Sequence, residues 1–278
     1  FEIGQNTAKM IKKQYSKIDL LLVGYTGASD YPCSYDLKLS EKERVAKLKK
    51  EKRLQNAVDY IQIFDPKYYL PFAGRYVLGG KLTSLMKHKG ESTLDEGFNY
   101  LLHHVDQQKN KGIVLNMKSY FDLDTELSSD TYIPENESDR ENYIQNVLSK
   151  LKLDYENDSF PTLDMLLELI PKAYDRFEHH RKMINYFSDN VILIKLNKEK
   201  ILLIPVNGSG FKIIEMSEFP KFQKYLFLSL DSRLFYKILQ TPKKAHWNNA
   251  EIGCHISWKR VPNIYDRSIM YCLNYFHS

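Results

Sequence analysis

Two stretches share one pattern, an apolar run that ends on small residues: Leu20-Leu21-Leu22-Val23-Gly24-Tyr25-Thr26-Gly27-Ala28-Ser29 and Tyr68-Tyr69-Leu70-Pro71-Phe72-Ala73-Gly74-Arg75-Tyr76. A buried parallel strand typically has this composition, because both of its faces are covered and its loop turns at the carboxyl edge of the sheet. We therefore predict strands at 18–25 and 67–72. With a Lys-rich helix at about 41–63 they form one β–α–β unit with a right-handed crossover.

Local signals predict the remaining elements of the first half. A helix is expected at 5–17, and the capping boxes Ser40–Glu43 and Thr93–Glu96 mark the starts of two others. The second box opens a helix of about 94–108, and the apolar run at 112–117 predicts a further strand.

The composition shifts abruptly to Asp, Glu, Asn and Ser between 122 and 160, and we place a domain boundary there. This gives a domain at 1–121, a partly helical acidic connector at 122–160 and a smaller α+β domain at 161–278. The predicted elements of the last domain are a helix at 161–186 that Pro171 should kink or split, an antiparallel meander at 190–196, 199–206 and 211–216, strands at 224–230 and 251–259, and helices at 232–240 and 262–276.

Composition argues against several classes of function. The net charge of +5 comes from 40 basic and 35 acidic residues, and the lysines are spread along helices, so solvated helix faces are favoured over a nucleic-acid surface. Cys33, Cys254 and Cys272 have no metal-like spacing and cannot all pair, which favours a reducing cytoplasm. No apolar run approaches the roughly 18 residues that a membrane span needs.

The segments 20–33 and 68–76 together resemble metallo-β-lactamase-fold proteins related to the CMP-N-acetylneuraminate hydroxylase and to the ascorbate-6-phosphate lactonase group. This resemblance covers residues 1–120 best. It implies that 1–121 is the α/β half of an αββα metallo-β-lactamase sandwich. The segments 228–239 and 245–253 resemble the sterol-carrier-like domains that follow some of these proteins.

The resemblance also bears on metal binding. Such proteins hold their metals mainly through a His-x-His-x-Asp-His motif, and these 278 residues contain no such run. The adjacent pairs His103-His104 and His179-His180 point about 100° apart on a helix and cannot chelate one metal together. We therefore expect no metal ligands in this chain. A divalent zinc, iron or manganese ion would be held by an N-terminal half of a longer polypeptide.

Two loops of the first half supply candidate substrate-binding residues. The loop after the first strand presents amides and hydroxyls suited to a phosphate or carboxylate, although an ordinary β–α turn would look the same. The loop after the second strand carries Ala73 and Gly74 where related hydrolases commonly place a histidine. Arg75 either binds an anionic substrate there or forms a surface ion pair. The candidates are Thr26, Gly27, Ala28, Ser29, Tyr31, Phe72, Gly74 and Arg75.

A third candidate lies in the second half, at Trp247, Asn248, Asn249 and Glu251. Two amides and a carboxylate beside an indole suit sugar hydroxyls, so this loop is predicted to contribute to the site. The alternative is that Trp247 anchors the core and the asparagines make turns. No serine or cysteine shows a nucleophile motif, and catalytic residues are not assigned.

Two functions follow as expectations. The first is the C-terminal portion of a cytoplasmic, metal-dependent, hydrolase-like enzyme that acts on a phosphorylated or nucleotide-linked sugar, in keeping with the sialic-acid-related resemblance. The second is a non-catalytic binding module for an acidic sugar or an apolar ligand. The first expects a small anionic substrate and the N-terminal half of the same polypeptide as partners, and neither expects nucleic acid or a membrane span.

Overall fold

The computed structural model describes residues 4–278, except for the side chains of residues 220 and 221. The fold is mixed α/β with several sheets, and the chain divides into two units. Unit 1 contains residues up to 28 together with 40–77 and 87–147, and unit 2 contains 29–39, 78–86 and 148–278. The segments 29–39 and 78–86, which we expected in the first domain, thus belong to unit 2.

The elements up to residue 147 are α1 (Gln5–Gln14), β1 (Leu20–Gly24), α2 (Leu39–Phe64), β2 (Tyr68–Phe72), a 3-10 helix (Gly80–His88), α3 (Leu94–His104), β3 (Lys111–Gly112), β4 (Phe121–Asp122), β5 (Leu127–Ser128) and α4 (Glu137–Asn146). β1 pairs with β2 in parallel, and β2 pairs with β3 in parallel. The predicted order of strand, helix and parallel strand is therefore confirmed, while the hand of the crossover and the place of the unit in an αββα sandwich stay predictions.

Burial explains why unit 1 takes this form. α2 contributes Leu54, Ala57, Val58 and Ile61 to a core that also holds Val23 and Tyr69 of the strands and Leu101 of α3. Leu54, Val58 and Ile61 of the apolar stripe of α2 therefore pack in this core, whereas Leu48 is 51% exposed.

Several local predictions for this half need correction. α2 begins at Leu39, so Ser40 lies inside the helix and does not cap it. The second capping box is confirmed, because Thr93 Oγ1 accepts from the amide of Glu96 at 3.0 Å and Glu96 Oε2 accepts from the amide of Thr93 at 2.9 Å. α3 ends at His104 rather than 108, and the strand expected at 112–117 is reduced to Lys111–Gly112.

Unit 2 continues with two 3-10 turns (Leu148–Lys150, Asp154–Asn157), α5 (Leu163–Met183), β6 (Val191–Lys195), β7 (Lys200–Pro205), β8 (Lys212–Glu215), a 3-10 helix (Met216–Lys221), β9 (Tyr225–Ser229), α6 (Ser232–Gln240), α7 (Trp247–Ile252), β10 (Ser257–Val261) and α8 (Arg267–Leu273). The sheet order is β10-β9-β6-β7-β8. The meander β6-β7-β8 is antiparallel as predicted, whereas β9 pairs with β6 in parallel.

α5 is a main helical component of the core of unit 2. Its residues Leu166, Ile170, Ala173 and Phe177, on both sides of Pro171, are buried in that core. This packing keeps the helix unbroken, so of the two outcomes expected at Pro171 the split does not occur, and the kink stays a prediction.

The predicted strand at 251–259 is also partly wrong. Residues 247–252 form α7, which begins where His246 Nδ1 accepts from the amide of Asn248 at 3.1 Å, and β10 starts only at Ser257. α8 is shorter than the helix expected at 262–276.

One buried cation provides a test of unit 1. The Lys89 side chain is 2% exposed, and its Nζ lies 3.0 Å from Glu91 Oε1 and 3.0 Å from the carbonyl oxygen of Tyr76. Removing one partner of a buried ion pair leaves the other charge uncompensated, so we expect Lys89→Ala to lower the free energy of unfolding by about 3–5 kcal/mol. Urea denaturation measures this value. Lys87→Ala, at an exposed position, is the control, and equal losses in the two variants would contradict the role of Lys89.

Candidate functional site

The loops that follow β1 and β2 meet at one edge of the unit 1 sheet. Gly24 is in register with Phe72, and Thr26 Oγ1 donates to the carbonyl oxygen of Ala73 at 3.1 Å. Ala73 has φ 53°, a conformation uncommon for residues other than glycine. A Cβ at Gly74 would lie 2.8 Å from the Tyr25 hydroxyl, so only glycine fits there without a shift. Thr26 and Phe72 therefore lie at neighbouring strand ends, as expected for two parallel strands.

The charge on Arg75 is already matched within unit 1. Its Nη2 donates to Glu135 Oε2 at 2.6 Å, and Arg140 Nε lies 3.6 Å from the other oxygen of that carboxylate. The neighbouring carboxylates Glu91 and Asp95 also raise the pKa of Tyr25, in which burial has the largest effect. Of the two alternatives for Arg75, the structure contains the ion pair, and an anionic ligand would have to displace Glu135.

The other candidates of these loops are less enclosed. Ala28, Phe72 and Gly74 are exposed, and Gly27 packs against the guanidinium of Arg53. Ser29 belongs to unit 2, where its Oγ accepts from the amide of Tyr31 at 3.2 Å.

A cleft in unit 2, which we call the Arg260 cleft, lies where β10 passes into α8. Its volume is about 30 Å³, and its lining combines polar and aromatic residues with aliphatic ones: Tyr35, Asn190, Tyr225, Leu226, Arg260, Val261, Pro262, Ile264, Tyr265, Asp266, Ile269 and Met270. Ile264 and Tyr265 are 69% and 58% exposed, so they form an open apolar rim.

Arg260 is held by aromatic rings rather than by an acid. Its guanidinium carbon lies 4.8 Å from the ring centre of Tyr31 and 4.8 Å from that of Tyr35. Its Nε donates to Asn263 Oδ1 at 2.6 Å. Within residues 4–278, no carboxylate lies within ion-pair distance of Arg260. Cation–π contact leaves the edge of the guanidinium available for an anion.

Tyr35 is itself firmly placed. Its ring stacks on Trp258 with ring centres 6.0 Å apart, and its backbone forms a parallel bridge with the same residue. Trp258 is buried in the core of unit 2, and Tyr35 stacks on it. The ring that contacts Arg260 is therefore held in place by the core.

Glu251 is an electrostatic neighbour of this cleft. Burial and the carboxylate of Asp30 raise its pKa to about 7, and Glu251 in turn raises the pKa of Tyr35 and of Tyr265, where burial is again the larger cause. In the part of the chain that is described, its side chain makes no hydrogen bond or ion pair. This carboxyl group therefore changes charge near neutral pH.

The carboxylate of Asp266, the acidic residue of the lining, is already engaged in local hydrogen bonds. It accepts a hydrogen bond from the Tyr186 hydroxyl, and its Oδ1 accepts from the amides of Ser268 and Ile269 at 2.9 and 3.2 Å. Its carboxylate thus caps α8.

The substrate-binding residues predicted at 247–251 do not come together in one site. Trp247 is 3% exposed, and its Nε1 donates to the carbonyl oxygen of Phe276 at 2.9 Å, so it anchors the core and offers no open aromatic wall. Asn248 and Asn249 lie exposed on α7. Tyr31 and Glu251 are the two predicted residues that belong to the surroundings of the Arg260 cleft.

Arg260, Tyr35 and Tyr265 were missed by the sequence reasoning. Lys259-Arg260-Val261-Pro262-Asn263 has cations at a strand end followed by a Pro-Asn turn, and this pattern could have pointed to a loop site. The aromatic partners lie more than two hundred residues away in sequence, so spacing carried no signal of them.

Comparisons with known proteins add no assignment: no protein-family model, curated protein or solved structure matches the chain. Among residues 4–278, no three His, Cys, Asp or Glu side chains are arranged to hold a metal ion. None of the helices described is both long and apolar enough to cross a membrane.

The raised pKa of Glu251 predicts how stability depends on pH. Its folded pKa of about 7 lies above the ordinary 4.5, so the folded state binds more protons between these values and stability falls as pH rises through them. The loss from this group is at most about 3 kcal/mol. We expect Glu251→Gln to be more stable than wild type at pH 8 and to lose this part of the pH dependence.

Chemical denaturation at pH 5 and pH 8 measures that difference. Glu168→Gln, on the exposed face of α5, is the control and should follow the wild-type profile. A Glu251→Gln profile that parallels wild type across this window would show that Glu251 titrates normally.

Proposed function

We propose that unit 2 binds a small acidic sugar, with the carboxylate of the sugar held by Arg260. The observation that carries this proposal is a guanidinium fixed between Tyr31 and Tyr35 that lines a cleft without a carboxylate partner in the described residues. An Arg held by aromatic rings presents a planar pair of donors, which matches a carboxylate.

The size of the cleft supports a carboxylate as the enclosed group. About 30 Å³ has room for roughly two waters, which is the space of two carboxylate oxygens. The rest of the ligand would lie over the exposed ring of Tyr265, and Asn190 supplies an amide for a sugar hydroxyl. An apolar ligand would leave the charge of Arg260 unmatched, so we favour the acidic sugar.

The metal-dependent enzyme remains a separate proposal. In it, the chain is the C-terminal portion of a cytoplasmic metallo-β-lactamase-fold enzyme, and a divalent metal held by an N-terminal half acts on a phosphorylated or nucleotide-linked sugar. The joined loops after β1 and β2 support it, since ligands of parallel sheets sit at such edges. Metal analysis of the full-length polypeptide tests it, and less than about one equivalent of tightly held metal would count against it.

Replacing Arg260 tests the binding proposal directly. We expect Arg260→Ala to weaken the binding of glucuronate by about 1.5–3 kcal/mol, because charge-assisted hydrogen bonds are lost. Arg260→Lys keeps the charge but not the paired donors and should fall between. Isothermal titration calorimetry with glucuronate, glucose 1-phosphate and glucose separates a carboxylate, a phosphate and an uncharged ligand.

The matched control is Arg176→Ala, at an exposed position of α5. Asn249→Ala tests the earlier candidate on α7, where a loss of affinity with an unchanged melting temperature would restore that residue to the site. Equal glucuronate affinity in wild type and Arg260→Ala would refute the proposal.

Glu251 predicts a pH dependence of binding. Its pKa of about 7 means that a negative charge appears beside the cleft as pH rises from 6 to 8, which opposes an anionic ligand. We expect glucuronate affinity to fall over this range in wild type and to stay nearly constant in Glu251→Gln. An equally steep fall in both proteins would assign the dependence to another group.

A further inference from the structure

Two thiols of unit 2 lie in contact although they are far apart in sequence. The sulfur of Cys33 is 3.3 Å from the sulfur of Cys254, and both side chains are buried. The third cysteine, Cys272, is buried elsewhere in the core of the same unit. The sequence spacing of the three residues suggested no such pair.

Local structure holds each sulfur in place. Cys33 sits in a turn in which Ser34 N donates to the carbonyl oxygen of Asp30 at 3.1 Å, and its own thiol donates to that oxygen at 2.9 Å. Cys254 follows α7 with φ 59°, a left-handed conformation that residues with a Cβ rarely adopt. The turn is closed by a hydrogen bond from Cys254 N to the carbonyl oxygen of Glu251 at 2.9 Å.

We propose that Cys33 and Cys254 are an oxidisable pair that forms an intrachain disulfide when the protein meets a peroxide. A disulfide bond is about 2.0 Å long, so the two sulfurs need to approach by only slightly more than an ångström. Each thiol is the sulfur neighbour of the other. The turn at Asp30 and the end of α7 already hold the two side chains in contact.

The reaction balances with hydrogen peroxide as oxidant. Cys254 is the more exposed of the two residues, at 3% against 0%, so in this scheme its sulfur attacks the peroxide first and one water leaves, giving a sulfenic acid. The sulfur of Cys33 then attacks the sulfenic sulfur. A second water leaves with the proton of the Cys33 thiol, and the peroxide has accepted the two electrons. Because both residues are buried, brief local opening that exposes Cys254 to the peroxide sets the rate.

The bond would tie the segment 29–39 to the end of α7. It closes a covalent loop of more than two hundred residues, which constrains the unfolded chain, and we expect the melting temperature to rise by about 5–10 °C. This inference concerns the thiols alone and does not depend on the binding of an acidic sugar.

Cys272 is an internal control. It is as deeply buried as Cys33, so burial does not distinguish the two, and the difference lies in the sulfur contact. In the described part of the chain, no other sulfur contacts the Cys272 thiol. Cys272 is one of the residues that α8 buries in the core.

The experiment exposes the reduced full chain to hydrogen peroxide, unfolds it in the presence of N-ethylmaleimide and maps the peptides by mass spectrometry. We expect one labelled thiol, at Cys272, and a crosslinked peptide pair containing Cys33 and Cys254, and dithiothreitol should restore all three thiols. Cys272→Ser should give the same crosslink, whereas Cys33→Ser and Cys254→Ser should give none.

Any of three outcomes would overturn the proposal. These are three labelled thiols after oxidation, a crosslink that includes Cys272, or sulfinic and sulfonic acids at Cys33 and Cys254 without a crosslink. The main result comes from the unmodified sequence, so it stands even where a serine variant fails to fold. The melting temperature of the oxidised protein, with and without dithiothreitol, gives the second readout.

Discussion

The backbone hydrogen bonds between β6 and β9 set the geometry of unit 2. Because β9 pairs with β6 in parallel, the antiparallel β10 lies beside β9 at one edge of the five-stranded sheet. Segment 34–36 covers that edge at Trp258. Arg260, two residues further, has the same sheet face as Trp258 because side chains alternate along a strand. The edge position of β10 is thus what brings Tyr35 against both residues.

Electrostatics distinguish the two arginines that the structure offers as anion sites. Arg75 has a carboxylate partner at 2.6 Å and further acids nearby, so its charge is matched. Arg260 has aromatic neighbours and a single amide acceptor. A guanidinium without a carboxylate partner gains more from an anionic ligand, since no existing ion pair has to be broken. The Arg260 cleft is for this reason the stronger candidate.

The features of the fold that could be predicted from the sequence were those with a signal in neighbouring residues. Parallel pairing of β1 with β2 was visible in two apolar runs, and the start of α3 was visible from the capping box Thr93–Glu96. At Pro171 the sequence left a kink and a split open, and burial on both sides of it keeps the helix unbroken. Residues 247–252 misled because Asn favours turns in isolation, while the burial of Trp247 and Ala250 on one side favours a helix.

The site shows the same limit. Tyr31 and Glu251 could be proposed from their own loops, but the role of Arg260 depends on rings contributed by the segment 29–39. The pairing of Cys33 with Cys254 likewise arises from tertiary packing. Contacts between distant segments leave no periodic trace in a single sequence, so neither feature was predictable.

A crystal structure of the protein soaked with glucuronate tests the central claim most directly. The account predicts density for the ligand carboxylate against the guanidinium of Arg260, with the sugar ring over Tyr265. Ligand density at Arg75 in place of Glu135, or an empty Arg260 cleft at a concentration that saturates binding in solution, would contradict it.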